Sequence, residues 1–201
     1  MTVAAKFLIA VTTAALSLSA QTPGKKTAEQ MKASYEAHRA DFDYLLGDWE
    51  FTSVSKKYGP GKGIWSAVRL PGGQIMDEFR IIGDAGETYY MTTSVRAYNA
   101  ALDAWELISM EGVEGLQNRG TGRRAGAEVH IEQKFGATSE QPFVLRIRYF
   151  DIDPSRFSWS ADRSNDGGQT WVKDDQHIEA RRVGPARSLE PLAQVRKASG
   201  K

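Results

Sequence analysis

The chain has 201 residues, 41% hydrophobic and 25% charged, which fits one globular core with tails, because single cores stop growing only beyond roughly 250 residues. A formal net charge of +1 gives no bulk attraction to nucleic acid or to an anionic membrane, so neither is expected as a partner. There is no cysteine, which excludes disulfides, a thiol nucleophile and thiolate metal ligation.

Residues 1–20 read as a secretory signal. Lys6 supplies a small positive charge, Phe7 to Leu18 form an apolar and small-residue run, and Ser17, Ser19 and Ala20 offer small residues for cleavage. That run is well short of the ~20 residues needed to span a bilayer, so stable membrane insertion after cleavage is not expected. The mature protein is therefore expected to be exported, periplasmic or secreted. Residues 21–41 hold a polar linker and a short helix. Thr27 and Gln30 match a capping box, and Met31, Tyr35 and His38 fall on one stripe suited to lie over one end of a barrel or to rest on the surface. His38 receives no functional role.

From residue 42 to 183, runs rich in Val, Ile, Thr and aromatics alternate with Gly, Pro, Asn and Asp clusters, the pattern of an all-β barrel or sandwich. Strands are expected at Trp49–Ser55, Lys62–Leu70, Gln74–Ile82, Glu87–Tyr98, Ala104–Glu111, Leu116–Arg124, Glu128–Phe135, Phe143–Ile152, Arg156–Arg163 and Thr170–Arg182. The turns between them are short, so successive strands pair antiparallel, and closure removes the two edges that about ten strands would otherwise expose. The expected fold is a single antiparallel up-and-down barrel of about ten strands behind a short helix. Residues 184–201, with two prolines and several Lys and Arg, are expected to form a flexible basic tail.

Phe42-Asp43-Tyr44-Leu45-Leu46-Gly47-Asp48-Trp49-Glu50-Phe51 opens this meander. Its Gly-x-Trp resembles the opening of lipocalins and the wider calycin barrels, and the longer stretch resembles a family of uncharacterised, mostly secreted bacterial domains with a lipocalin-like barrel. The resemblance implies that Trp49 plugs the closed end beneath an Arg of the last strand. Arg181 and Arg182 point to opposite faces; Arg182, which shares a face with Ile178 and Ala180, is favoured, making Gly47, Trp49 and Arg182 the expected closure residues. Ser164-Asn165-Asp166-Gly167-Gly168-Gln169-Thr170-Trp171 matches the Asp-box turn of β-propellers. A single copy needs only a stable reversal to explain it, and a similar turn precedes the last strand in the bacterial barrel family.

Catalytic constellations are not evident. His130 and His177 sit on separate strands without acids at metal-ligand spacing, so no metal site is expected. Asp77 and Glu78, or Asp174 and Asp175, point to opposite sides of their strands and cannot share acid–base work. Nitrobindin-type barrels, distant relatives by the same resemblance, bind haem through one His on a late strand, which makes His177 a haem candidate; their glycine-rich opening after the first Trp is absent here. Arg146 and Arg148 share a face and would clamp a carboxylate if that face points inward, but sequence alone leaves the face open. The expected function is binding of a small, largely apolar ligand, with Trp65, Phe79, Tyr89, Trp105, Arg146, Arg148, Tyr149 and Trp159 as candidate contacts. The alternatives are a haem-binding or enzymatic barrel using His177 and a barrel filled by its own side chains.

Overall fold

The computed structural model describes residues 25–136 and 141–191; the signal-like segment, the linker to residue 24 and the chain beyond residue 191 lie outside the described residues. Helix α1 (Ala28–His38) opens on the expected capping box: the Gln30 amide donates to Thr27 Oγ1 and the Thr27 amide donates back to Gln30 Oε1. No residue of α1 is fully buried. A single 3-10 turn (Asp43–Leu45), which sequence did not suggest, then carries Phe42, Leu45 and Leu46 into the interior.

Ten strands follow: β1 (Gly47–Ser55), β2 (Gly59–Arg69), β3 (Ile75–Ile82), β4 (Thr88–Asn99), β5 (Ala104–Glu111), β6 (Gly115–Ala125), β7 (Glu128–Phe135), β8 (Phe143–Phe150), β9 (Arg156–Ser164) and β10 (Val172–Gly184). Each pairs antiparallel with its sequence neighbour, and β1 also pairs with β10, so the sheet closes into an up-and-down barrel. The strands agree with those read from sequence to within about three residues at either end. The largest difference is at β2, which starts at Gly59 and includes Pro60. Pro60 pairs with Val54 of β1, while β3 begins to pair only at Lys62, so the missing proline amide falls outside the β2–β3 ladder.

An eleventh strand, β11 (Arg187–Ser188), lies in the stretch read as a tail and runs parallel to β2 beside Val68 and Arg69. Arg187 anchors it: one guanidinium nitrogen donates to Asp48 Oδ2 at 2.5 Å and the other to Ser66 Oγ at 2.7 Å. The Arg187 and Ser66 donors hold the Asp48 carboxyl below its ordinary pKa.

Register fixes the faces. Starting from the buried Trp49, the pairs Trp49–Trp65, Trp65–Phe79, Tyr98–Trp105, Val129–Tyr149, Tyr149–Trp159 and Ile178–Trp159 carry the inward face around the barrel. The core cluster runs through Trp49, Trp65, Trp105, Leu107, Val129, Ile131, Ile147, Tyr149, Phe157 and Trp159.

Candidate functional site

The barrel interior divides into a closed end, where the 3-10 turn enters, and a mouth, formed by the opposite set of turns. At the closed end Trp49 is fully buried, its indole nitrogen donates to the Leu45 carbonyl at 2.8 Å, and its ring meets Phe157 edge-on at 4.8 Å. Arg182 lies over the Trp49 ring at 4.1 Å and donates to the carbonyls of Leu46 (2.5 Å), Tyr44 (2.9 Å) and Pro154 (2.5 Å). One guanidinium thus ties the first strand, the last strand and the entering chain together. Gly47 is required twice over. Its φ is +110°, which side chains avoid, and an added Cβ would sit 2.5 Å from Arg182 Nη1 and 2.7 Å from the Gly184 carbonyl oxygen.

One layer up, Trp65 donates to Asp77 Oδ1 at 2.8 Å, and Asp77 forms an ion pair with Arg96; the two charged side chains are 1% and 3% exposed. The Arg96 guanidinium also faces the Phe42 ring at 5.5 Å. Burial raises the phenol pKa of Tyr149, and raises that of Tyr44 still further, so both stay neutral and act as packing groups with a polar tip. Trp105, which donates to Asp41 Oδ2 at 3.3 Å, and Trp159 complete this tier. Of the candidate contacts, Trp65, Trp105, Tyr149 and Trp159 are therefore inside and almost wholly buried.

The mouth is built differently. Phe51 and Phe79 stack at 4.8 Å on one wall, Phe135 and Phe143 stack at 4.6 Å on the other, and Phe79, Ile81, Phe135 and Phe143 stay only partly buried. Gly63 makes room for the first pair, since a Cβ there would overlap the Phe51 ring and the Arg80 carbonyl. Between the walls sits a buried polar floor, with Ser94 Oγ 2.8 Å from Ser109 Oγ and the Gln133 amide donating to Asn118 Oδ1 at 3.1 Å. Arg163 covers the Phe143 ring at 3.8 Å. Of these residues only Phe79 was singled out from sequence. The others are polar or unremarkable strand residues until register brings them together.

Tyr89, Arg146 and Arg148 project from the outer face and do not join this lining. Tyr89 is 70% exposed, and Arg146 and Arg148 alternate with the inward Leu145, Ile147 and Tyr149. Arg146 stacks on Trp171 at 4.0 Å and approaches Glu132; Arg148 covers Phe150 at 4.3 Å. The Asp-box turn is accounted for locally: Asp166 accepts from the Gln169 and Thr170 amides at 2.9 Å each, and Trp171 donates to the Gly168 carbonyl at 3.0 Å. His177 also faces outward, between the inward Gln176 and Ile178, with Nε2 2.6 Å from Glu179 Oε1. A haem inside the barrel would need an inward imidazole, so this residue does not fit that role. Among the described residues no group of three or more His, Asp or Glu is placed to hold a metal ion.

The fold defines a closed ten-stranded up-and-down β-barrel. No family model and no curated protein sequence matches the chain. The crystal structure of Rv2717c from M. tuberculosis is similar, with a TM-score of 0.51 and 15% identity over 75% of this chain and 97% of that one. At that identity the likeness is one of fold.

Proposed function

We propose that the protein is an exported, non-enzymatic binder of a small, largely apolar molecule, held at the barrel mouth and not in its depth. The observation that carries this reading is the contrast in burial: inward Trp49, Trp65, Trp105, Tyr149 and Phe157 of the closed half are almost fully buried, whereas inward Phe79, Ile81, Phe135 and Phe143 keep accessible surface around a polar floor. Apolar walls with a few convergent polar groups are the usual make-up of a small-molecule site. The deep cation Arg96 is matched by Asp77 and offers no uncompensated charge to a ligand.

Purified mature protein tests this by organic extraction and mass spectrometry, followed by thermal shift with whatever compound is recovered. A ligand at 100 times its Kd stabilises the folded state by about 2.7 kcal/mol, and Phe143→Ala or Phe79→Ala should reduce that shift. Empty extracts, together with no shift from a panel of small apolar compounds, would leave a barrel filled by its own side chains.

A further inference from the structure

Outside the barrel, where α1 crosses the closed end, a crevice of about 230 Å³ opens between the helix and the ends of β4, β5 and β6. His38, given no role from sequence, stacks on the Tyr98 ring at 5.2 Å and places Nδ1 3.0 Å from Asp41 Oδ2, the same oxygen that accepts from Trp105. Tyr98 in turn packs edge-on against Trp105 at 5.7 Å, so one side of the crevice is aromatic. The other side carries Arg123 and Arg124.

The charges here are unevenly matched. Both carboxylates that line the crevice are occupied: Asp41 is buried against His38 and Trp105, and Asp103 is held by Lys26 and by Ser34, whose hydrogen bonds lower its pKa to about 2. Among the described residues the two guanidinium groups bond backbone carbonyls: Arg123 those of Asp103 and Leu102 at 2.9 and 3.0 Å, and Arg124 those of Gly126 and Asp41 at 3.1 and 3.4 Å. Carbonyl dipoles orient a guanidinium without cancelling its charge, and an oriented fork of donors suits a planar carboxylate.

We propose that this crevice is a second binding site, separate from the barrel mouth, for a small monocarboxylate with an aromatic or short apolar body. The carboxylate is held by Arg123 and Arg124, and the body lies against Tyr98 and the edge of His38. A cavity of 150 Å³ accommodates benzene, so the volume here suits a molecule of about benzoate size.

The sequence supplies a convenient reporter, because it has three histidines, His38, His130 and His177, and only His38 lines this crevice. Sodium benzoate is titrated into the mature protein at constant pH and ionic strength while the imidazole Cε1–H resonances are followed by NMR. The expected result is a saturable shift of His38, larger than that of His130 beside Arg123 and absent at His177, with a Kd on the order of 1 mM. Arg123→Gln combined with Arg124→Gln should weaken binding at least tenfold while the His177 resonance stays in place, showing that the fold is kept; His130 pairs with Arg123 across β6–β7 and is expected to move in that variant. Should that pair fail to fold, Tyr98→Leu gives the same readout through loss of the apolar wall. An unmoved His38, a shift shared by all three histidines, or full binding by the double variant would overturn the proposal. Inorganic phosphate is the contrasting probe: an equal response to it would mean that any anion is accepted and would remove the monocarboxylate assignment.

Discussion

The two ends of the barrel solve opposite problems with the same alternating strands. At the closed end the large groups interlock: Trp49 and Trp65 meet Phe157 edge-to-face, Tyr149 meets it at a tilt, and the buried charges of Asp77 and Arg96 neutralise each other. At the mouth two stacked phenylalanine pairs flank serines and amides, and Phe79, Phe135 and Phe143 stay partly open. The comparison teaches that tight packing and accessible apolar surface occupy different tiers of one sheet. A side chain's inward direction is therefore not enough to make it a ligand contact.

The largest effects should come from breaking the closed end. Trp49→Ala should cost about 3–5 kcal/mol by chemical denaturation, as large aromatic truncations in cores do. Asp77→Ala should cost a similar amount, about 3–5 kcal/mol, because Arg96 would be left buried without its counter-charge. Replacing both partners, Asp77→Leu with Arg96→Met, should recover most of that loss; a double variant no better than the single one would show that the pair's hydrogen bonds, not its charge balance, matter.

Next in size is the clasp. Arg182→Met keeps much of the apolar contact with Trp49 but strips the donors from three carbonyls, and should cost about 2 kcal/mol. The mouth should be more forgiving. Phe143→Ala removes a half-buried ring and should cost about 1 kcal/mol, well below Trp49→Ala. Equal losses at the two positions would erase the distinction between the tiers.

The smallest effects belong to the turns. The Asp153 carboxyl, at the closed end, accepts from the hydroxyl and amide of Ser155 and from Arg156, and its pKa is lowered from 3.8 to about 2; Asp166, at the mouth, is lowered further by Thr170 and Ser164. A carboxyl whose folded pKa lies below its unfolded value contributes stability above about pH 4 and loses it as pH falls through the folded value. Melting temperature should accordingly decline between pH 4 and 2, and carbon-detected titration should place the Asp153 midpoint near 2.

The strands were legible because turn chemistry is local. Positive-φ glycines at 73, 86, 126 and 167 sit in or beside reversals that their residue types announce. Faces were less legible, since a period of two fits either side. In β8 the set Phe143, Leu145, Ile147 and Tyr149 is uniformly apolar while the alternate set carries Arg146 and Arg148, and weighing charge between the sets assigns the inside. The polar floor had no such signal. Ser94, Ser109, Asn118 and Gln133 read as solvent-facing strand residues until β4–β5 and β6–β7 pairing opposes them. The β11 strand was hidden for another reason: two residues among prolines and basic side chains carry no period, and only the Arg187 contacts with Asp48 and Ser66 define it.

The clasp between Arg182 and Leu46 joins groups 136 positions apart in sequence. Apart from the β1–β10 seam and the short β11–β2 pairing, strands pair with their immediate neighbours, so a growing chain can lay down β1 to β9 as a curling meander while the seam stays open. Contacts of such separation are the slow ones to form, and until β10 is synthesised both rims of the meander offer unpaired amides and carbonyls to other copies of the chain. Closure thus waits on β10, and the interval before it arrives is when the protein is most exposed to mispairing.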